Sequence, residues 1–226
     1  MSSRHDWRML TRALIGRDLP TRGSAIDVCR THELVMAMLG PDYRRPEDSR
    51  ELWAEPCPTR LLIQHTGELD TRWLPDWCTH LWSGPVRTDW DAGTPIRWAV
   101  IANPTVEVVV SRNPPPPDGW STWSEWRHAT NQRSRIRTKR TPIKDPSTIH
   151  AWCEAKLEGV QVTSLRLGRR TTVGGSKRDR RVTLFTAHLT GTGIVGDPDR
   201  WSRVLRMGIG DGRAYGCGLV VCEAAT

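Results

Sequence analysis

Phenylalanine and tyrosine are nearly missing from this 226-residue chain, which has one Phe and two Tyr against 12 Trp. Aromatic packing therefore falls on tryptophan. Binding of single-stranded RNA by base stacking, which needs a Lys/Arg-Gly-Phe-Gly-Phe-like strand, is disfavoured, since Phe185 stands alone. No apolar run approaches the roughly 18 to 20 residues that cross a bilayer. The opening Met1-Ser-Ser-Arg-His-Asp has no apolar centre of the signal-peptide kind, and the expectation is a cytoplasmic chain. Cys29, Cys57, Cys78, Cys153, Cys217 and Cys222 are scattered with no Cys-x-x-Cys pair, which argues against structural zinc. Cys78-Thr-His80 is too isolated for a metal site, so no metal or cofactor is expected, and the cysteines are read as reduced thiols, mostly filling core.

Acidic residues are outnumbered: 25 Asp and Glu face 33 Lys and Arg, a formal net charge of +8. A polyanionic partner follows from that balance. The positive charge is concentrated in two stretches. Arg133, Arg135, Arg137, Lys139 and Arg140 follow the stiff Pro114–Pro117 run and the tryptophans Trp120, Trp123 and Trp126. Arg166, Arg169, Arg170, Lys177, Arg178, Arg180 and Arg181 flank Val173-Gly174-Gly175 in an expected hairpin. Guanidinium groups suit bidentate contacts with phosphate and guanine edges, and a thin arginine-rich ribbon can track the groove of an A-form stem. The plain alternative is a solvated charged surface.

The element pattern points to an α+β chain. Residues 8–15 read as a strand. Residues 25–39 read as a helix, with Ser24 and Asp27 as a capping pair and Gly40 as its stop. Residues 59–65 read as a strand, 74–81 as a short helix after Pro75, and 96–110 as strand broken at Asn103-Pro104. A second set follows: helix 149–158, strands 160–167 and 181–189, helix 198–207 and strand 219–222. Each set approximates the β-α-β-β-α-β order of the ferredoxin-like fold. Residues 113–140 are expected to be loop or disordered in the free protein, ordering when RNA binds.

Near the end, Gly208, Gly210, Gly212, Gly216 and Gly218 crowd one short segment around Arg213. Such a segment suits either a phosphate backbone or a tightly crossing chain. The Gly-h-Gly, five residues, Gly-h-Gly pattern resembles the glycine-rich loop of the RAMP superfamily of CRISPR proteins. Leu10-Thr11-Arg12-Ala13, Asp27-Val28-Cys29-Arg30-Thr31-His32, Leu61-Leu62-Ile63-Gln64, Ala102-Asn103-Pro104 and Arg140-Thr141-Pro142 with Trp152 occur in the order of the CasE family, the type I-E CRISPR repeat endoribonuclease.

That resemblance implies two tandem ferredoxin-like (RRM-like) domains, here 1–104 and 105–226. It implies metal-independent cleavage of CRISPR precursor RNA at a repeat hairpin, retention of the crRNA, and partners in a type I-E surveillance complex, including its backbone subunit. Residues implied for RNA binding are Gly208, Gly210, Gly212, Arg213, Gly216 and Gly218 together with the two basic stretches. His32 matches the catalytic histidine; an imidazole suits proton transfer at neutral pH, as base or as acid. Cys29 stands where the family usually has tyrosine, Glu33 follows the histidine, and Ala37 replaces a residue that is often basic. Arg30, Arg12 or Lys139 are then the expected supporting cations. Cys29 reads either as part of the site or as a buried packing thiol. The alternative left by these departures is a crRNA-hairpin-binding subunit that does not cut.

Overall fold

The computed structural model describes residues 10–17, 27–40, 43, 47, 50–67, 69–111, 118–121, 125, 129, 137–177 and 180–225. It holds two tandem ferredoxin-like sheets with helices, an α+β architecture. The first sheet contains β1 (Leu10–Arg17), β2 (Leu52–Cys57), β3 (Arg60–Thr66) and β4 (Cys78–Pro85). Their spatial order is β2-β3-β1-β4, all neighbours antiparallel. Helix α1 (Val28–Leu39) crosses from β1 to β2. Where the fold has its second helix, this chain has only a 3-10 turn, Thr71–Trp73. The helix expected over 74–81 is therefore a correction: Cys78–Pro85 is an edge strand, paired through Leu14↔Trp82 and Arg17↔Cys78.

The second sheet repeats that strand order. It is built from β5 (Pro95–Ala102), β8 (Val160–Lys177), β9 (Arg180–Val195) and β10 (Val220–Ala224). Helix α2 (Pro146–Lys156) precedes β8, and α3 (Pro198–Met207) follows β9. Each starts on an aspartate followed by proline. The Asp145 carboxylate accepts from Thr148 N and that of Asp197 from Arg200 N, while Pro146 and Pro198 sit where no amide proton is needed. β5 pairs with β9 and β10 and so belongs to the second sheet. Residues 1–104 and 144–226 form one compact unit, and 105–143 form another. In the smaller unit β6 (Thr105–Ser111) and β7 (Arg137–Pro142) pair antiparallel, with Glu107 opposite Arg140.

Within the larger unit, buried polar bonds join the two sheets. Arg12 of β1 donates to Gln64 Oε1 from Nε at 3.0 Å and from Nη2 at 2.9 Å, and its Nη2 also donates to the Val220 carbonyl at 2.6 Å. Gln64 Nε2 donates in turn to the Leu205 carbonyl at 2.7 Å. Leu52, Ala54 and Leu219 close the apolar gap beside this network. Burial lowers the Arg12 pKa to about 10. An arginine held in this way is structural, which removes Arg12 from the cations expected to face substrate. No helix among the described residues is long and apolar enough to cross a membrane.

Candidate active site

His32 lies on α1, and local chemistry sets that helix. The Asp27 carboxylate Oδ1 accepts from Cys29 N at 2.9 Å and Arg30 N at 3.2 Å, satisfying first-turn donors. Gly40 ends the helix at φ 82°. Val28, Cys29, Val35, Met38 and Leu39 turn inward onto Ile15, Trp53, Leu61 and Ile63 of the first sheet. His32 stands at the margin of that face, half-buried, with Arg30 and Glu33 exposed beside it. Thr31 fixes the helix from below. Its Oγ1 donates to Glu55 Oε1 at 3.2 Å, and Arg17 Nη1 reaches the same oxygen at 2.7 Å. Burial raises the Glu55 pKa, and the bonds from Arg17 and Thr31 oppose that rise.

The β8–β9 hairpin reaches the start of this helix. Gly174 makes a parallel bridge with Asp27, and Ser176 N points at Asp27 Oδ2 from 3.4 Å. Gly175 is required for the approach: a Cβ there would lie 2.9 Å from both Cys29 N and Cys29 Sγ and would collide with Asp27 Oδ1. Val173 and Val182 pack on the same core as the helix. The glycine pair expected at the hairpin turn is thus a docking point inside β8, which runs on to Lys177.

The glycine-rich segment supplies a third wall. A 3-10 turn, Arg213–Tyr215, brings the Tyr215 ring to 6.0 Å from the His32 ring, edge to face at 61°. Trp53 Nε1 donates to the Ala214 carbonyl at 3.2 Å. At Gly216, with φ 82°, a Cβ would lie 2.5 Å from the Trp53 ring. Of the two readings of this segment, the tightly crossing chain describes much of it. Gly208 N donates to Val204 O, and Gly218 N to Ile101 O, so those amides are already used; Gly216 and Gly218 are buried. Arg213 Nη1 donates to the Met207 carbonyl at 3.2 Å. Gly210 lies against the Trp152 ring and Gly212 against Asn103.

The structure sorts the other expected site residues. Cys29 is 1% exposed and belongs to the core under α1. That burial is the environment of the packing reading of Cys29. Arg166, Arg169, Arg170 and Arg181 are exposed along the hairpin. None of them pairs with a carboxylate among the described residues. Arg170 Nη1 donates to the Lys144 carbonyl at 3.1 Å. The His188 pKa is lowered by burial and by Arg169. Lys139 and Arg140 are exposed on β7 of the smaller unit. Arg133, Arg135 and Arg178 lie outside the described residues, as do the side chains of Arg137, Lys177 and Arg180. Sequence reasoning passed over Tyr215; being one of two tyrosines, inside the glycine-rich segment, was the available signal.

Solved structures share this architecture. Over 95% of the chain, it is similar to Cse3 of Thermus thermophilus bound to an RNA representing a pre-cleavage complex, at 19% identity, TM-score 0.71 and 99% cover of that chain. It is similar to the CRISPR-associated protein Cas6e of Escherichia coli K-12 at 15% identity and TM-score 0.66, covering 95% of this chain and all (100%) of that one. It is also similar to a chain of a CRISPR RNA-guided surveillance complex, at 16% identity and TM-score 0.64, with 95% and 100% cover. No curated protein matches. The family model described as CRISPR associated protein matches residues 9–223, and the chain belongs to that family.

Proposed function

We propose that this chain is an endoribonuclease of the CasE kind, which cuts CRISPR precursor RNA at the base of a repeat hairpin, without a metal, and stays on the crRNA it has made. One observation carries the reading. The arginine-bearing β8–β9 hairpin is docked, through Gly174 and Gly175, on the first turn of the helix that holds His32. A ribbon that grips an RNA stem is thereby tied to a group able to move a proton. The solved relatives that hold RNA, or belong to an RNA-guided surveillance complex, support the same partners for this chain.

The chemistry needs three things. The ribose 2′-oxygen attacks the adjacent phosphorus while a base accepts its proton. The bond from phosphorus to the 5′-oxygen breaks, and that oxygen takes a proton from an acid. Donors and cations stabilise the charge on the phosphorane oxygens. The products are a 2′,3′-cyclic phosphate and a 5′-hydroxyl. His32 fills the base or the acid role, and exposed Arg30 is the nearest cation in sequence.

The test is incubation of purified protein with labelled repeat-hairpin RNA in excess EDTA. A single cut leaving a cyclic phosphate is the expected result. Tight binding with the RNA intact would replace the enzyme with a hairpin-binding subunit, the reading that the departures at Cys29, Glu33 and Ala37 motivate. Neither binding nor cutting would overturn both.

A further inference from the structure

We propose that Tyr215 is a second substrate-contacting residue of the His32 site, its phenol donating a hydrogen bond to a non-bridging oxygen of the phosphate being cut. The proposal rests on the reading of His32 as the proton-transfer group. The Tyr215 ring meets the His32 ring at 6.0 Å and 61°, so the two side chains are neighbours at this site. The Tyr215 hydroxyl has no hydrogen-bond partner among the described residues and is not among their buried unsatisfied atoms, so it opens to solvent. A buried phenol ordinarily finds a partner, and one left open beside an imidazole has its donor available to a ligand.

The backbone beneath it is held firmly. Tyr215 N donates to the Gly212 carbonyl at 2.8 Å and Cys217 N to the same carbonyl at 3.3 Å. The Trp53 indole holds Ala214 from the far side, and its ring fills the space at Gly216 where a Cβ would stand. The segment thus fixes Tyr215 on a rigid shelf instead of a mobile loop. A preorganised donor aimed at charge that grows in the transition state raises the rate more than the affinity.

The test is Tyr215→Phe, which keeps the ring contact and removes only the hydroxyl. Single-turnover cleavage of the labelled repeat hairpin in EDTA should slow by about 10- to 100-fold, while affinity for the same RNA carrying a 2′-deoxy block at the cut stays within about twofold. A second measurement does not depend on comparing folded yields. Wild type should discriminate between the two phosphorothioate diastereomers at the scissile phosphate, and the Phe variant should lose that discrimination. A Phe variant that cuts within about twofold of wild type, with discrimination intact, overturns the proposal. So does a loss of affinity with the single-turnover rate at saturating protein unchanged, which would mark an interaction made equally in the ground state. His32→Ala in the same assay separates the layers. If it cleaves normally, the reading of the site falls. If it is inactive while Tyr215→Phe is normal, only the role of Tyr215 falls.

Discussion

Asp27 and Ser176 stand 149 residues apart in sequence, yet the Asp27 carboxylate faces the Ser176 amide at 3.4 Å while capping the helix of His32 with its other oxygen. Partial desolvation works against ionisation, but the Arg30, Cys29 and Ser176 amides and the Arg30 charge hold the Asp27 carboxyl below the ordinary carboxylate range. Asp27→Ala removes both functions. It is expected to cost about 1 kcal/mol in urea unfolding, the usual loss of an N-cap. The more telling measurement is hydrogen exchange: residues 173–176 of β8 should lose protection together with the first turn of α1. Unchanged protection at 173–176 would show that the hairpin docks without the aspartate.

His32→Ala tests the proton-transfer role. Single-turnover cleavage is expected to fall about 10²-fold or more, with hairpin affinity nearly unchanged. The imidazole is half-buried at the margin of the helix face, so its removal leaves the core of Val35 and Met38 in place. A variant of normal stability that cuts at the wild-type rate would exclude His32 from the mechanism.

What was legible in the sequence was local. Asp27, Gly40 and the apolar spacing between them mark α1, and Pro198 marks the start of α3, because caps act over a few residues, whereas α2, read from 149, starts at Pro146. Strand β2 was illegible: Leu52–Cys57 carries Glu55 and Pro56, a pattern tolerated because β2 is an edge strand and Arg17 pairs with Glu55. Pro75 imitates a helix start, while the true state of Cys78–Pro85 is decided by pairing with β1 far back in the chain. The site divides in the same way. His32 and the arginines of the hairpin were proposed from residue type and order in the chain. The burial of Cys29, the docking of Gly175 and the approach of Tyr215 to His32 arise only where distant segments meet.

Cys29→Tyr is expected to fail as a gain of function. Cys29 Sγ already fills the space beneath Gly175, where a Cβ would stand 2.9 Å away. Overpacking such a position costs about 1–3 kcal/mol. The Tyr variant should melt earlier and cut more slowly, whereas Cys29→Ala should keep its cleavage rate within about threefold while losing some stability. A Tyr variant as stable as wild type and faster in cleavage would assign residue 29 to the active site.

His65 gives the fold an acid-sensitive point. It is 2% exposed on β3, and burial lowers its pKa from 6.5 to about 4, with partial opposition from the backbone at Thr66 and Gly67. The unfolded chain therefore binds a proton between pH 6.5 and about 4 that the folded chain refuses. Stability should be full above pH 6.5 and fall as pH drops toward 4, by about 2–3 kcal/mol from this residue. Urea unfolding at a series of pH values measures it. His65→Leu should flatten the slope over that window whatever its stability at pH 7, and an unchanged slope would assign the acid sensitivity to other groups.

The hairpin arginines make the prediction that most directly concerns RNA. Arg166, Arg169, Arg170 and Arg181 are exposed and face no carboxylate among the described residues. If they neutralise phosphates of the stem, replacing all of them with alanine should weaken binding and make it less sensitive to salt. For every phosphate that the variant no longer neutralises, the log–log slope should shrink by roughly 0.7 to 0.9. Arg181 is opposite Ser176, the residue facing Asp27, and its exposed side chain is not part of the Gly175 docking point. The variant should therefore keep wild-type stability, and RNA forced onto it at low salt should still be cut at a rate set by His32. An unchanged slope and affinity would move the RNA away from this ribbon, with Lys139 and Arg140 of β7 as the next surface to replace.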